Sequence, residues 1–153
     1  MIKTILRLIL IIPLLLIGYL NVSLYYQPNF KEVNGKIYNE DVYQQLRFLK
    51  TELGNGAGHK MQGLFPEGFI FINVLYGLAW CDLIQNLDDR TDIYQEGITE
   101  INWAFQEINS PAGKRIFRKN LPLEYGAFYR GWNNYLLGKK LTIQVPKQRD
   151  SIE

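Results

Sequence analysis

With 17 basic and 15 acidic side chains in 153 residues, the net charge is only +2, too small to predict nucleic-acid binding or adhesion to anionic lipid. A single cysteine, Cys81, excludes an internal disulfide, and its apolar neighbours Leu78, Ala79 and Trp80 predict a buried, inert thiol. No cofactor signature is present.

Residues 1–26 predict a membrane segment. Lys3 and Arg7 precede an apolar run in which Leu8 to Tyr26, 19 residues, holds only Asn21 and Ser23 as strongly polar members. A helix of that length rises about 28 Å, close to the hydrocarbon thickness of a bilayer. Tyr19, Tyr25 and Tyr26 sit where an interfacial aromatic belt forms, and Pro13 is tolerable in such a helix. A cleaved signal peptide or a core helix is the alternative; against the first, no small-x-small pattern follows the apolar run. An uncleaved anchor keeps Lys3 and Arg7 cytoplasmic and sends the remainder outward, although Lys31 and Lys36 just beyond it weaken the charge asymmetry. Asn21-Val22-Ser23 matches a glycosylation sequon but lies at the membrane boundary and is read as chance.

Residues 27–38 are expected to form a linker. Asn39 then predicts an N-cap, with Glu40 and Asp41 favourable in the first turn. Val42, Leu46, Leu49 and Leu53 place one apolar face on this helix, which Gly54 and Gly56 end. The next helix is expected from Pro66 and is apolar at every position from Phe69 to Cys81 except Asn73, which predicts burial on all sides. Thr91 caps a third helix, one-faced through Tyr94, Ile98, Ile101, Phe105 and Ile108. Ser110-Pro111-Ala112 predicts a cap and a short helical turn ending near Phe117. A fourth helix, Tyr125 to Ile143, carries Tyr125, Phe128, Tyr129, Trp132 and Tyr135 and is stopped by Pro146. Residues 146–153 form a polar tail.

The chain contains a repeat. Phe71-Ile72-Asn73-Val74-Leu75-Tyr76-Gly77 recurs as Trp132-Asn133-Asn134-Tyr135-Leu136-Leu137-Gly138, sharing aromatic-x-Asn-x-Leu-x-Gly at an offset of 61. The one-faced helices are offset by 52, so the difference falls in the connections, where repeats accept insertions. The predicted fold is all-α: a membrane helix followed, over 39–145, by two stacked helical hairpins with alternating outer and inner helices.

This pattern resembles the start of an (α/α) toroid, the six-hairpin architecture of many glycan-processing enzymes. Leu64-Phe65-Pro66-Glu67-Gly68, Leu75-Tyr76-Gly77-Leu78-Ala79-Trp80 and Tyr125-Gly126-Ala127-Phe128-Tyr129-Arg130-Gly131-Trp132 are also similar to segments of bacterial membrane-anchored proteins that open a longer helical domain. The resemblance covers about residues 40 to 145 and implies a partial toroid at the outer face of a bacterial inner membrane. A closed toroid needs about twelve helices and four are predicted here, so the inner helices require covering by a continuation, a partner protein or a second copy.

In such an architecture the loops at the mouths of the inner helices line a cavity. Proline, then glutamate and glycine, precede both inner helices, making Glu67 and Glu124 candidate acid and base for glycoside chemistry. Phe65, Tyr125, Tyr129 and Trp132 are candidate sugar-stacking rings, with Arg130 to hold an acidic group. Helix-dipole stabilisation alone also accounts for both glutamates. His59, the single histidine, is a candidate substrate-binding residue or base in a polar loop; with no nearby His or Cys partner it does not predict a metal site. Gly54-Asn55-Gly56-Ala57-Gly58 follows a helix rather than a strand and lacks a phosphate-loop lysine. Asp88-Asp89-Arg90-Thr91-Asp92 reads as a solvated turn. Asn73 and Asn134 are expected to be equivalent, each bonding a neighbouring backbone. The expected function is an anchored helical module of the cell envelope, completed by a partner or by self-association. The alternatives are a glycan-active enzyme or a fragment of one, and a small subunit of a membrane complex.

Overall fold

The computed structural model describes residues 2–25 and 27–144, with side chains from residue 11 onward. Tyr26, the expected stop at Pro146 and the tail at 146–153 lie outside the described residues.

Helix α1 (Ile2–Leu24) runs unbroken through Pro13, and every residue from Ile11 to Leu24 is exposed. Two polar residues near its end bond back onto the helix: Asn21 Nδ2 donates to the Ile17 carbonyl at 2.9 Å and Ser23 Oγ to the Leu20 carbonyl at 2.9 Å. Among the described residues, no helix is long and apolar enough to cross a membrane. The side chains of Leu8, Ile9 and Leu10, and the whole of Tyr26, are parts of the expected span that lie outside them.

The expected linker is corrected to an antiparallel hairpin, β1 (Phe30–Val33) with β2 (Lys36–Asn39). Asn34 and Gly35 have φ of 50° and 74°, the two left-handed residues of a tight turn whose twist matches that of its strands. The hairpin is tied to the helix after it, since the Asn29 N–H donates to Asp41 Oδ2 at 2.7 Å.

Helix α2 (Glu40–Gly54) starts as expected: Asn39 Oδ1 accepts from the N–H groups of Asp41 and Val42. Leu46 and Leu53 are buried, with Val42 and Leu49 half-buried beside them. The glycine-rich connection is corrected to a turn at Gly56 (φ 87°) and a further helix, α3 (Ala57–Leu64). Helix α4 (Gly68–Ile84) begins two residues later than expected and is the centre of the core. Ile70, Val74, Tyr76, Trp80, Cys81 and Ile84 are all buried.

Thr91 caps α5 (Asp92–Asn109) by accepting from the Tyr94 N–H at 3.3 Å. The innermost stripe of α5 is Gly97, Ile101, Ala104 and Ile108; Tyr94, Ile98 and Phe105 flank it half-buried. Ser110 Oγ caps the short α6 (Pro111–Lys114), and α7 (Gly126–Gln144) follows.

The two halves repeat as long, short, long: α2–α3–α4 and α5–α6–α7. Contacts fix their directions. Helices α4 and α7 run the same way, because Phe71 meets Trp132 (ring centroids 4.9 Å), Gly77 meets Leu136, and Asp82 meets Lys139 at 2.8 Å. Helices α2 and α5 also run together: the Tyr43 hydroxyl donates to Glu96 at 2.7 Å and Lys50 Nζ to Glu100 at 2.6 Å. Glu100 also accepts from the Tyr76 hydroxyl at 2.9 Å, so one half-buried carboxylate joins α2, α4 and α5.

Cys81 lies wholly inside this core, and burial pushes its thiol from about 9 up to about 12. At pH 8 its thiolate population is therefore far below that of an unshifted thiol. Labelling by a disulfide-exchange reagent is expected to be negligible in the folded chain and complete in denaturant. Fast native labelling would show that α4 opens readily.

Candidate functional site

The starts of the two parallel helices share one end of the molecule. Phe71, in the first turn of α4, contacts Phe128 of α7 at 6.0 Å as well as Trp132. Phe65 extends the group by an edge-on contact with Phe71 at 6.1 Å, and Tyr135 by a contact with Trp132 at 6.2 Å. Phe65, Phe128 and Tyr135 are exposed and Phe71 and Trp132 half-buried, so the ridge of rings presents apolar faces to solvent.

The expected site residues divide on this frame. Phe65 and Trp132 belong to the ridge. Tyr129 does not: it is 1% exposed, and its hydroxyl donates to Asn109 Oδ1 at 2.9 Å, with the Ile108 carbonyl as the alternative acceptor at 3.2 Å. A ring held inside the core offers no face to a sugar, and burial raises its hydroxyl pKa. Tyr125 is half-buried beside Tyr129 (5.3 Å) with φ of 66°, a left-handed conformation that a bulky residue holds only where its surroundings enforce it.

Glu67 stands at the N-cap of α4 without capping it through its side chain, and it is half-buried. Glu124 precedes α7 and is paired: Arg130 Nη2 donates to Glu124 Oε2 at 3.0 Å and Arg130 Nε to the Glu124 carbonyl at 2.9 Å. Arg130, expected to hold an acidic ligand, thus holds its own chain's carboxylate. Glu67 and Glu124 lie at the starts of neighbouring parallel helices, and no hydrogen bond links either to a nucleophile among the described residues.

His59 is exposed on α3, its ring 5.1 Å from that of Phe69. It lines an open cleft of about 380 Å³ with Gln62, Gly63, Pro66, Arg115 and Ile116. Arg115 and Gln62 were not foreseen, because nothing in the spacing of residues brings the end of α6 beside α3. Among the described residues no cluster of three or more His, Cys, Asp or Glu side chains is placed to hold a metal ion.

The expected equivalence of Asn73 and Asn134 is corrected. Asn73 is buried and donates to the Phe69 carbonyl at 2.8 Å, whereas Asn134 is exposed. The buried amide of α7 is Asn133, which donates to Asn109 Oδ1 at 3.1 Å while Asn109 Nδ2 donates back to Asn133 Oδ1 at 3.3 Å. The Asn109–Asn133 pair ties α5 to α7, whereas Asn73 bonds within its own helix and not, as expected, to a neighbouring connection.

A second, almost wholly apolar groove of about 370 Å³ runs between α2, the end of α3 and α4, lined by Leu49, Met61, Phe65, Ile72, Leu75 and Ala79 among others. It adjoins the ridge through Phe65 and Phe71, and its lining contains no titratable group apart from the Tyr76 hydroxyl, which burial and Glu100 hold protonated. No family model matches the chain, and no curated protein or solved structure matches it either.

Proposed function

We propose that this chain is a membrane-anchored helical module of the bacterial cell envelope, incomplete alone and completed by a second protein surface. The observation that carries the reading is the apolar face of the inner helices. Leu75 is 50% exposed, Phe128 40% and Tyr135 58%, on helices whose other sides build the core. Contiguous apolar surface of this kind marks an interaction site. The anchor is supported by α1, where Ile11 to Leu24 show no buried side, an arrangement that suits lipid better than water. Asn21 and Ser23 satisfy their own donors within α1, as a helix in hydrocarbon requires.

The test is fractionation of cells producing the full chain. It should stay with alkaline-washed membranes, be released by deletion of residues 1–26, and lose its helical domain to protease added outside spheroplasts. Recovery of the full chain in the wash would sink the anchor; protection from external protease would reverse its orientation.

The alternative is a glycan-active enzyme or a fragment of one, using Glu67 and Glu124. Its support is their position at one end of two parallel helices beside exposed aromatic rings. The Glu124–Arg130 pair and the burial of Tyr129 weigh against it. It requires Glu67→Gln with Glu124→Gln to abolish glycan turnover in a chain that keeps its circular dichroism spectrum.

A further inference from the structure

The repeated motif is used once inside the chain, and its two unused ends are complementary. Within the chain, the leucine of the second copy packs on the glycine of the first. Leu136 is fully buried, and a Cβ built on Gly77 would lie 2.9 Å from Leu136 Cδ1 and 3.2 Å from Ala104 Cβ. Leu75 is the first repeat's counterpart of Leu136, and it stands 50% exposed in the apolar groove. Gly138 is the second repeat's counterpart of Gly77, and among the described residues nothing lies within 4 Å of the position its Cβ would take. One edge therefore carries a knob without a hole, and the other a hole without a knob. The face around Gly138 continues through Gly131, equally open, and exposed Tyr135 and Leu141, at the spacing of one helix side.

We infer that a second copy of this chain docks head to tail, its α4 packing Leu75 against Gly138 of α7 as Leu136 packs against Gly77 within each chain. The inference rests on the reading of the chain as an incomplete module and names its occupant. The contact continues an interface already formed inside the chain, α4 against α7, with helices running in the same direction. It is heterologous: each copy presents a different edge on each side, so the assembly closes into a ring or extends, according to the rotation between copies. A face-to-face dimer through Leu75 would bring knob against knob and leave Gly138 open on both copies.

The full chain in detergent provides the test. Leu75→Cys and Gly138→Cys are prepared separately, mixed and oxidised; Cys81, fully buried, does not compete. The mixture should give a disulfide-linked dimer severalfold above either variant alone. Equal linking by one variant alone, or none in the mixture, overturns the head-to-tail contact. Gly138→Trp gives the second measurement. Position 138 is open in the single chain, so circular dichroism should be unchanged, while the mass by light scattering should fall to one copy. An unchanged mass overturns the proposal. Hydrogen exchange separates this failure from that of the module reading. If the chain is a single copy and α7 exchanges quickly, the second copy is excluded and another protein is the occupant. If the single copy exchanges slowly throughout α7, the open face needs no cover and both readings fall.

Discussion

Trp80→Ala is expected to lower the stability of the helical domain by about 3–5 kcal/mol, the range for removing a fully buried large aromatic. Trp80 is 0% exposed and joins three helices. On α4 it stands edge-on to Tyr76 at 6.5 Å; it is also edge-on to Tyr43 of α2 at 6.0 Å, and a Cβ on Gly97 of α5 would lie 3.2 Å from its Cε3. The surrounding helices are held by Glu96 and Glu100, so they cannot collapse freely into the space left. Most of the lost volume should remain as a cavity, which places the effect toward the upper part of that range. Urea unfolding followed by circular dichroism measures it. A change near 1 kcal/mol would mean that α2 and α5 slide together, and that the carboxylate ties between them are weak.

The second expected result is a pair of opposite signs from two helical glycines. At Gly97 an added Cβ would lie 2.6 Å from Ile84 Cγ2 and 2.8 Å from its Cδ1. Ile84 is fully buried and branched at Cβ, so its χ1 is strongly restricted and it yields little room. Gly97→Val is expected to cost about 3 kcal/mol by overpacking. At Gly131 nothing lies within 4 Å among the described residues, and in the single, undocked copy Gly131→Ala should gain about 0.5–1 kcal/mol, the helix-propensity difference. Thermal unfolding of both variants checks the contrast. Equal changes of the same sign would mean that the α4–α5 contact is looser than its distances indicate.

The sequence made the long helices legible where packing and capping obey local rules. Asn39 and Thr91 cap as their side-chain chemistry dictates, and the all-apolar stretch of α4 is central because no side of it suits water. The repeat marked α4 and α7 as equivalent helices of two stacked hairpins; that they pack on each other in parallel comes from the contacts Phe71–Trp132, Gly77–Leu136 and Asp82–Lys139. Other features were hidden for identifiable reasons. Gly58 and Gly63 disguise α3, although Ala57, Lys60, Met61 and Gln62 are good helix formers. The hairpin is signalled only by Asn34-Gly35, since β1 and β2 are mostly exposed and lack an apolar alternation. The Asn134 error is one of phase: neighbouring residues point about 100° apart around a helix, so aligning the motif by sequence brought the wrong amide inward. Of the site, Phe65 and Trp132 were identifiable from their residue type and position. The self-pairing of Arg130 with Glu124 and the burial of Tyr129 depend on tertiary neighbours that no local pattern encodes.

Helix α4 has a consequence for synthesis on the ribosome. It is the one element that packs on α2, α3, α5 and α7, and it emerges before α5 and α7. A domain folds as a unit. A chain that stopped after residue 84 would leave open the sides of α4 that α5 and α7 cover, so the first half of the domain presents an apolar surface and not a finished fold. The second half completes the core of the first instead of adding a core of its own.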